Sequence, residues 1–370
     1  MRILYITSYW DEPHRWSSSA VKLAGQWCRL GCKVTVLCMC NVENGKYEEV
    51  SFANSLTVCK VQDWFLPDPW NYGVALSFFR IASLKVEEVQ PDAIVVDKVL
   101  YWTSIATIFL TLKGRQVLVV TDALVGITWW TKGWLFNTCA FLYANTLGWL
   151  ILGFARKVVF FHPQPDRVLQ RLGIARKSTV IPSGIDVSAY YSEKSRDLVT
   201  LAYVGRLESV KRVDDFLAVA SALSSEGLRV IVVGPYAADD ELFMKYKDTV
   251  EFLGLRRDIE DIYAEIDVLV LPSYCEGLSN TLMEAMASSC ACVASDVGGN
   301  PYLIEHGVSG FVYPSGDRRL LRFHVQRLLD DRSLRQRVGA AARRRMEECY
   351  DWSVVGPAFL EQLSKVSANA

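Results

Sequence analysis

Short, uninterrupted apolar runs recur along the whole chain, separated by segments in which apolar and polar residues alternate at helical spacing. In the first half the runs are RILYIT (2–7), KVTVLC (33–38), DAIVVD (92–97), QVLVVT (116–121) and KVVFFH (157–162), with a helical pattern over 20–30. Runs of Val, Ile and Leu without alternation predict strands covered on both faces, as in parallel sheets. Strands separated by helical segments predict a doubly wound α/β domain.

Residues 180–197, VIPSGIDVSAYYSEKSRD, break this pattern with Pro, Gly and Ser, then turn polar, and read as a linker. Beyond them it restarts. TLAYVG (200–205), RVIVVG (229–234), VEFLG (250–254), DVLVLPS (267–273) and CACVAS (290–295) are strand-like, and residues 213–227 form a helical pattern closed by Gly227. The length of 370 residues suits two domains. The expectation is an α/β chain of two Rossmann-like, doubly wound domains facing across a cleft, residues 1–185 and 186–349. Ligands of open α/β sheets lie beyond the carboxyl ends of the strands, and a cleft between two such sheets suits a two-substrate enzyme.

One stretch departs from the alternation. From Gly133 to Ala155 there is no charged residue, and Lys132 and Arg156 flank the gap. That length can span a bilayer, yet the stretch includes Asn137, Thr138, Asn145, Thr146 and Gly148. On a helical wheel Phe136, Ala140, Tyr143, Leu147, Leu150, Ile151 and Phe154 share one face, while Trp134, Phe141 and Trp149 lie with the polar residues. A core helix, a helix lying in a membrane interface and a true span all remain open. Ten arginines between 318 and 345 read as a solvated helical face or as an attraction for anionic lipid.

Composition narrows the classes. A net charge of −1 and a pI near 6.5 give no support for nucleic-acid binding. The ten cysteines include no C-x-x-C pair and only four histidines accompany them, so a zinc site is not expected. Most of the cysteines fall in or beside apolar runs and read as reduced core residues. RILYIT begins a buried strand at once, without a leader pattern, which predicts the cytosol or the cytosolic face of a membrane.

The chemistry concentrates in CEGLSNTLMEA, residues 275–285. DVLVLPS is a strand, SYCEG the loop beyond its carboxyl end, and a helix is expected from about Thr281. Backbone N–H groups at a helix start favour an anion, and Gly277 lets backbone come close to a ligand. Glu276 stands in the loop and Glu284 one turn into the helix, so the two carboxylates suit different parts of one extended ligand. Thr281-x-x-Glu284 also matches a capping box, which would account for Glu284 by itself.

E-x7-E after a strand ending in PS, within LPSYCEGLSNTLMEAMASSCACVASDVGG, resembles the retaining nucleotide-sugar glycosyltransferases of the family-4 type (glycosyl transferases group 1), which have the GT-B fold. YVGRLESVKRVDDFL (203–217) resembles the family's Gly-Arg-Leu…Lys segment, VIPSGID its interdomain linker, and VEFLGLRRDIEDIYAEIDVLVLPS the run before the glutamates. YDWSVVGPAFLEQL (350–363) resembles its terminal helix, which crosses back to the first domain, so that 350–370 would join it. The resemblance is nearly complete from 157 onward and mainly architectural before it.

The resemblance implies that Arg206 and Lys211, after Gly205, hold the donor diphosphate and stabilise the charge of the departing nucleotide. It implies that Glu276 holds the donor sugar and Glu284 the ribose hydroxyls. Backbone N–H groups of Leu278, Ser279, Asn280 and Thr281 would line the phosphates, and Gly298 and Gly299 would admit the sugar. It implies no metal and no cofactor besides the nucleotide-sugar donor.

Departures lie mainly in the first domain. Where many relatives carry Gly-Gly after the first strand, this chain has DEPHRWSSSA, with Ser17, Ser18 and Ser19, and His14 nearby as an acceptor contact. Where many carry a His after the strand matching QVLVVT, it has Asp122, which suits proton acceptance from an acceptor hydroxyl or a turn cap. Ser289 and Ala291 replace a common Gly and Pro. Trp129 and Trp130 lead toward the uncharged helix and suggest a glycan or lipid-linked, membrane-proximal acceptor. The expectation is a retaining hexosyltransferase at the cytosolic membrane face. An epimerase, a phosphorylase or a non-catalytic partner subunit of the same fold are the alternatives.

Overall fold

The structure is a computed structural model that describes all residues except 11–17, 41–46, 53–54, 67–71, 131–132, 191–197, 224–226 and 367–370. The chain divides into two compact units: unit 1, Met1–Ser183 with Val355–Ala370, and unit 2, Gly184–Val354.

Unit 1 begins with β1 (Arg2–Ile6), α1 (Ser18–Arg29), β2 (Lys33–Cys40), β3 (Tyr47–Phe52) and β4 (Leu56–Gln62). Two short strands, β5 (Trp64–Leu66) and β6 (Tyr72–Val74), pair with each other. There follow α2 (Phe78–Val89), β7 (Ala93–Asp97), α3 (Ala106–Leu112), β8 (Val117–Thr121), α4 (Trp134–Asn145) and α5 (Leu147–Phe154). The unit continues through β9 (Lys157–Phe160), α6 (Asp166–Arg171) and β10 (Ser178–Val180). Its main sheet has the order β10-β9-β8-β7-β1-β2-β4-β3, parallel except for the β3–β4 pair. Every residue of AIVVD and VLVVT is buried, as expected for central parallel strands covered on both faces. Order reverses between β1 and β7.

Unit 2 contains β11 (Val199–Val204), α7 (Val213–Ala222), β12 (Leu228–Val233), α8 (Glu241–Tyr246), β13 (Glu251–Gly254) and α9 (Ile259–Glu265). Then come β14 (Val268–Leu271), α10 (Asn280–Ala287), β15 (Ala291–Ser295), α11 (Asn300–Leu303) and β16 (Phe311–Tyr313). The helices α12 (Arg318–Asp330), α13 (Arg332–Cys349) and α14 (Trp352–Ser364) close the chain. The sheet order is β13-β12-β11-β14-β15-β16, all parallel, with the reversal between β11 and β14. From Val355 onward α14 belongs to unit 1, where Phe359 meets the buried Trp27 of α1 edge-on at 6.3 Å. There Lys157 Nζ donates to Gln362 Oε1 at 2.8 Å.

Two expectations need correction. The uncharged stretch forms two helices, not one. At the break Thr146 takes φ −117° and ψ −91°, and its Oγ1 donates to Leu142 O at 2.7 Å while Asn145 Nδ2 donates to Phe141 O at 2.8 Å. Short polar side chains that bond backbone carbonyls compete with the helix and bend or end it. The break rephases the wheel: Ala140, Ala144, Gly148, Ile151 and Leu152 are buried, whereas Leu150 is exposed. Ile151 and Leu152 belong to the core of unit 1.

The arginine run is not simply a solvated face. Arg318 pairs with Asp214 and Asp215 of α7, and Arg335 Nη1 donates to Leu328 O at 2.6 Å. Arg343 donates to Tyr190 O and Ala287 O at 2.7 and 2.5 Å, and Arg345 to Leu303 O and Tyr302 O at 2.6 and 2.9 Å. These guanidinium groups, rich in donors, tie α12 and α13 to the rest of unit 2. None of the cysteines forms a disulfide, and most are buried as expected, with Cys139 and Cys349 exposed.

Candidate functional site

Sheet order fixes where a ligand belongs. In doubly wound sheets it is the crevice at the carboxyl ends of the strands where the order reverses, which in unit 2 means the ends of β11 and β14. Gly205–Lys211 follow β11, and the residues up to Glu276 follow β14. The Tyr274 N–H donates to Val210 O at 2.8 Å and stitches the two loops together.

That stitch brings Lys211 to Glu276. Lys211 Nζ donates to Glu276 Oε1 at 2.8 Å, and Ser273 Oγ donates to the same oxygen at 2.5 Å. Ser273 is itself held: its carbonyl accepts from Ser295 Oγ at 2.6 Å and Ser315 Oγ at 3.0 Å. Glu276 is 7% exposed. A carboxylate so buried needs charge and hydrogen-bond partners, and the pair supplies both. Behind it, burial and the charge of Glu276 push the Tyr203 phenol well up, so its hydroxyl stays neutral and donates to Arg206 O at 2.7 Å.

The backbone around Glu276 is packed without space for side chains. Gly298 has φ +56°, and a Cβ there would lie 2.0 Å from Glu276 O. The Gly299 N–H donates to Gly277 O at 2.8 Å. The Gly298–Gly299 turn, at the end of β15, is thereby folded onto the Glu276–Gly277 backbone. Asn300 Nδ2 fixes it from below through Ser295 O at 3.1 Å.

Helix α10 starts at Asn280, and its cap is Ser279, whose Oγ accepts from the Leu282 N–H at 3.3 Å. Thr281 is therefore inside the helix and not the head of a capping box. Glu284 instead receives a hydrogen bond from Tyr263 Oη at 3.1 Å. Burial followed by the Glu284 charge pushes the Tyr263 phenol well above its ordinary value, and the Tyr190 phenol is raised for the same two reasons. Both phenols are thus donors toward Glu284. Leu278 and Ser279 are buried, Asn280 and Thr281 half-buried, and the first N–H groups of a helix lack intrahelical acceptors.

Arg206 is half-exposed and paired with Glu208. It follows Gly205, against whose carbonyl Gly234 packs so closely that a Cβ would come within 1.9 Å. Among the residues named from the sequence, unit 2 brings together Lys211, Glu276, Gly277, Gly298 and Gly299, with Leu278–Thr281 leading directly into α10.

In unit 1 the same rule points to the ends of β1 and β7. Thr7 Oγ1 donates across that reversal to Asp97 Oδ2 at 3.2 Å. Asp97 is 2% exposed, and its Oδ1 has no hydrogen-bond partner among the described residues. Burial lifts its carboxyl above the ordinary value. Lys98 follows at φ +67°, a backbone conformation rare outside glycine, and its ammonium lies 5.5 Å from the Tyr101 ring centroid. Burial alone would lower the Lys98 ammonium, but Tyr101, Asp97 and Asp122 outweigh it, so the cation is held more firmly than usual. Asp122, half-buried at the end of β8, belongs to this cluster by charge.

Trp129 and Trp130 are half-buried, and Trp130 stacks on Phe141 of α4 at 6.5 Å. His14 and Ser17 lie outside the described residues, as does the side chain of Ser18 in α1. His162, buried at the end of β9, meets Pro163 O at 3.1 Å, and burial lowers its pKa. Sequence reading missed Asp97 and Lys98, although a charged pair ending a buried run was a usable signal. It also missed Ser273, Tyr190 and Tyr263, which nothing local distinguishes from core residues.

Residues 199–331 match the family described as "Glycosyl transferases group 1". A sulfoquinovosyl transferase, SQD2, of Arabidopsis thaliana is 34% identical over 154 residues, covering 40% of this chain and 30% of that one. An Escherichia coli protein named as a UDP-Gal:alpha-D-GlcNAc-diphosphoundecaprenol alpha-1,3-galactosyltransferase is 28% identical over 180 residues, covering 43% and 46%. The chain spans less than half the length of the curated relatives first matched, 46%, 30% and 40%. Among solved structures, HepE of Anabaena in complex with UDP superposes with a TM-score of 0.75 at 16% identity, over 99% of this chain and 100% of that one. At that identity the likeness establishes architecture, which is the GT-B fold.

Proposed function

We propose that the protein is a glycosyltransferase that moves a sugar from a nucleoside diphosphate sugar to an acceptor hydroxyl, with retention at the anomeric carbon. The observation that carries this reading is the Lys211–Glu276 contact at the reversal point of unit 2, with the Gly298–Gly299 turn folded onto it. In the reaction the bond between the anomeric carbon and the diphosphate oxygen breaks. A bond to the acceptor oxygen forms, the acceptor hydroxyl loses its proton, and negative charge grows on the departing diphosphate.

Each residue has a task in that step. Arg206 and Lys211 neutralise the departing diphosphate, with the start of α10 adding oriented N–H groups. Lys211 also touches Glu276, so it links the phosphate end of the donor to the sugar end. Glu276 holds sugar hydroxyls, and its carbonyl side, packed against Gly298, lets the ring approach backbone. Glu284, oriented by two tyrosine donors, takes the ribose hydroxyls. These cations do the work a divalent metal does elsewhere, and the proposal is metal-independent. In unit 1, Asp122 accepts the acceptor proton, with Asp97 and Lys98 setting its electrostatic surroundings.

The acceptor is proposed to be a lipid-linked glycan, or another membrane-proximal hydroxyl, at the cytosolic face. The outward aromatic residues of α4 and α5 support this, as does the diphosphoundecaprenol acceptor in the E. coli relative's name. The UDP bound to HepE supports testing uridine diphosphate donors first. The experiment measures nucleoside diphosphate release from UDP-, GDP- and ADP-sugars, with and without a membrane lipid extract. Release from one donor class, stimulated by the extract, is expected. No release from any donor contradicts the proposal, and isomerised donor without release makes the protein an epimerase.

A further inference from the structure

The inner side of α4 and α5 is buried in unit 1, but their outer side is also apolar. Trp134 is 80% exposed, Leu142 57%, Leu135 51% and Trp149 48%, with Phe141 and Leu150 beside them. On a water-facing helix surface such aromatic density is a liability unless something covers it. Leu112, 71% exposed, adds to it from the end of α3, which meets α5 where Thr111 Oγ1 donates to Phe154 O at 3.4 Å.

Charge identifies what covers it. Residues 98–180 carry ten Lys and Arg against two acidic residues, Asp122 and Asp166, a surplus of eight in a chain whose net charge is −1. Several of these cations border the apolar face. Lys177 Nζ donates to Gly153 O at 2.7 Å and Ala155 O at 2.9 Å at the end of α5, and Arg171 Nη2 donates to Asn145 Oδ1 at 2.8 Å at the end of α4. Lys113 and Arg156 are exposed next to them. An aromatic apolar strip bordered by cations fits an interface between acyl chains and anionic headgroups.

The geometry points to α4 and α5 as a docking surface for an anionic lipid bilayer, lying in the interface and not crossing it. A crossing helix would have to withdraw Ile151 and Leu152 from the core of unit 1 and straighten the break at Thr146. The cations of α12 and α13 are not this surface, because many are tied to unit 2. The inference deepens the membrane-proximal part of the proposed function but needs none of its donor chemistry.

The test is co-sedimentation of the full chain with vesicles of phosphatidylcholine alone and of equimolar phosphatidylcholine and phosphatidylglycerol. Binding to the anionic vesicles at least about tenfold tighter, weakening with salt and with a blue shift of tryptophan emission, is expected. A Trp134→Gln, Phe141→Gln, Trp149→Gln variant, altered only at exposed positions, should melt as the parent does and lose vesicle binding. It should keep its nucleotide release from a soluble donor, which separates failure of docking from failure of the transferase reading. Lys113→Glu with Arg156→Glu should reduce the preference for anionic vesicles. Absence of binding to either vesicle, equal binding by the triple variant, or a stable dimer that buries these tryptophans would overturn the inference.

Discussion

At the reversal point of unit 2 every strand end is tied to its neighbour: Tyr274 to Val210, Ser273 to Ser295 and Ser315, Gly299 to Gly277, and Lys211 to Glu276. At the reversal point of unit 1, Asp97 is buried with one oxygen that has no hydrogen-bond partner among the described residues, and Lys98 sits in a strained backbone conformation. The unit 2 loops are cross-tied around a fixed shape, as suits a ligand of constant chemistry such as a nucleoside diphosphate, although Asn300 Oδ1 beneath them has no hydrogen-bond partner among the described residues. Unit 1 gathers a buried carboxyl of raised pKa, a lysine at positive φ and Asp122 at neighbouring strand ends, surroundings that fit the proton transfer proposed for Asp122. In the proposed function this contrast corresponds to unit 2 holding the donor and unit 1 activating the acceptor.

The sharpest way to break this comparison is Glu276→Ala. Transfer should fall at least about 10³-fold while thermal melting stays cooperative; an active variant would remove unit 2's catalytic assignment. Gly298→Ala is next. Its Cβ would meet Glu276 O at 2.0 Å, so the turn must shift. A stability loss of about 1–3 kcal/mol in denaturant titration, with a raised donor KM, is expected. An unaffected variant would mean that the glycine packing is incidental.

Unit 1 is probed by pH. Because burial raises the folded-state pKa of Asp97 above the ordinary 3.8, the folded protein holds that proton more tightly than the unfolded chain. Stability therefore falls as pH rises from about 3.8 through the folded value. Asp97→Asn cannot ionise, so its melting temperature relative to the parent should climb between pH 4 and pH 7. A constant difference across that range would show that Asp97 carries no such cost.

The smallest effect concerns Ser289. It occupies a left-handed backbone at φ +57°, the position where the resemblance leads one to expect glycine. Ser289→Gly should stabilise unit 2 by up to about 1 kcal/mol, the relieved strain less glycine's entropy. A lower melting temperature would contradict this.

These contrasts also explain what could be read before the structure. The central strands of both units were legible because they are Val- and Ile-rich runs such as AIVVD and VLVL, whereas the shorter or more polar β3–β6, β10 and β16 were not. The residues proposed for the unit 2 site could be named from the sequence because they lie in one contiguous loop and helix start, 275–284, plus the ends of β11 and β15. Glu284's partners were not, since Tyr190 and Tyr263 reach it from distant elements. Asp97 was passed over because it ends an apolar run, and only the sheet order brings Thr7 to it. The break at Thr146 was hidden because a helical wheel assumes a continuous helix, and side-chain competition for carbonyls is invisible to periodicity.

The most direct test of the central claim is calorimetric titration of the parent and of an Arg206→Ala, Lys211→Ala variant with a nucleoside diphosphate, the monophosphate and the free nucleoside. The parent should prefer the diphosphate, and the variant should lose roughly 10- to 100-fold of diphosphate affinity with little change for the nucleoside. Equal diphosphate affinity in parent and variant would contradict the account, because unit 2 would then hold its ligand without the cations on which donor binding is built.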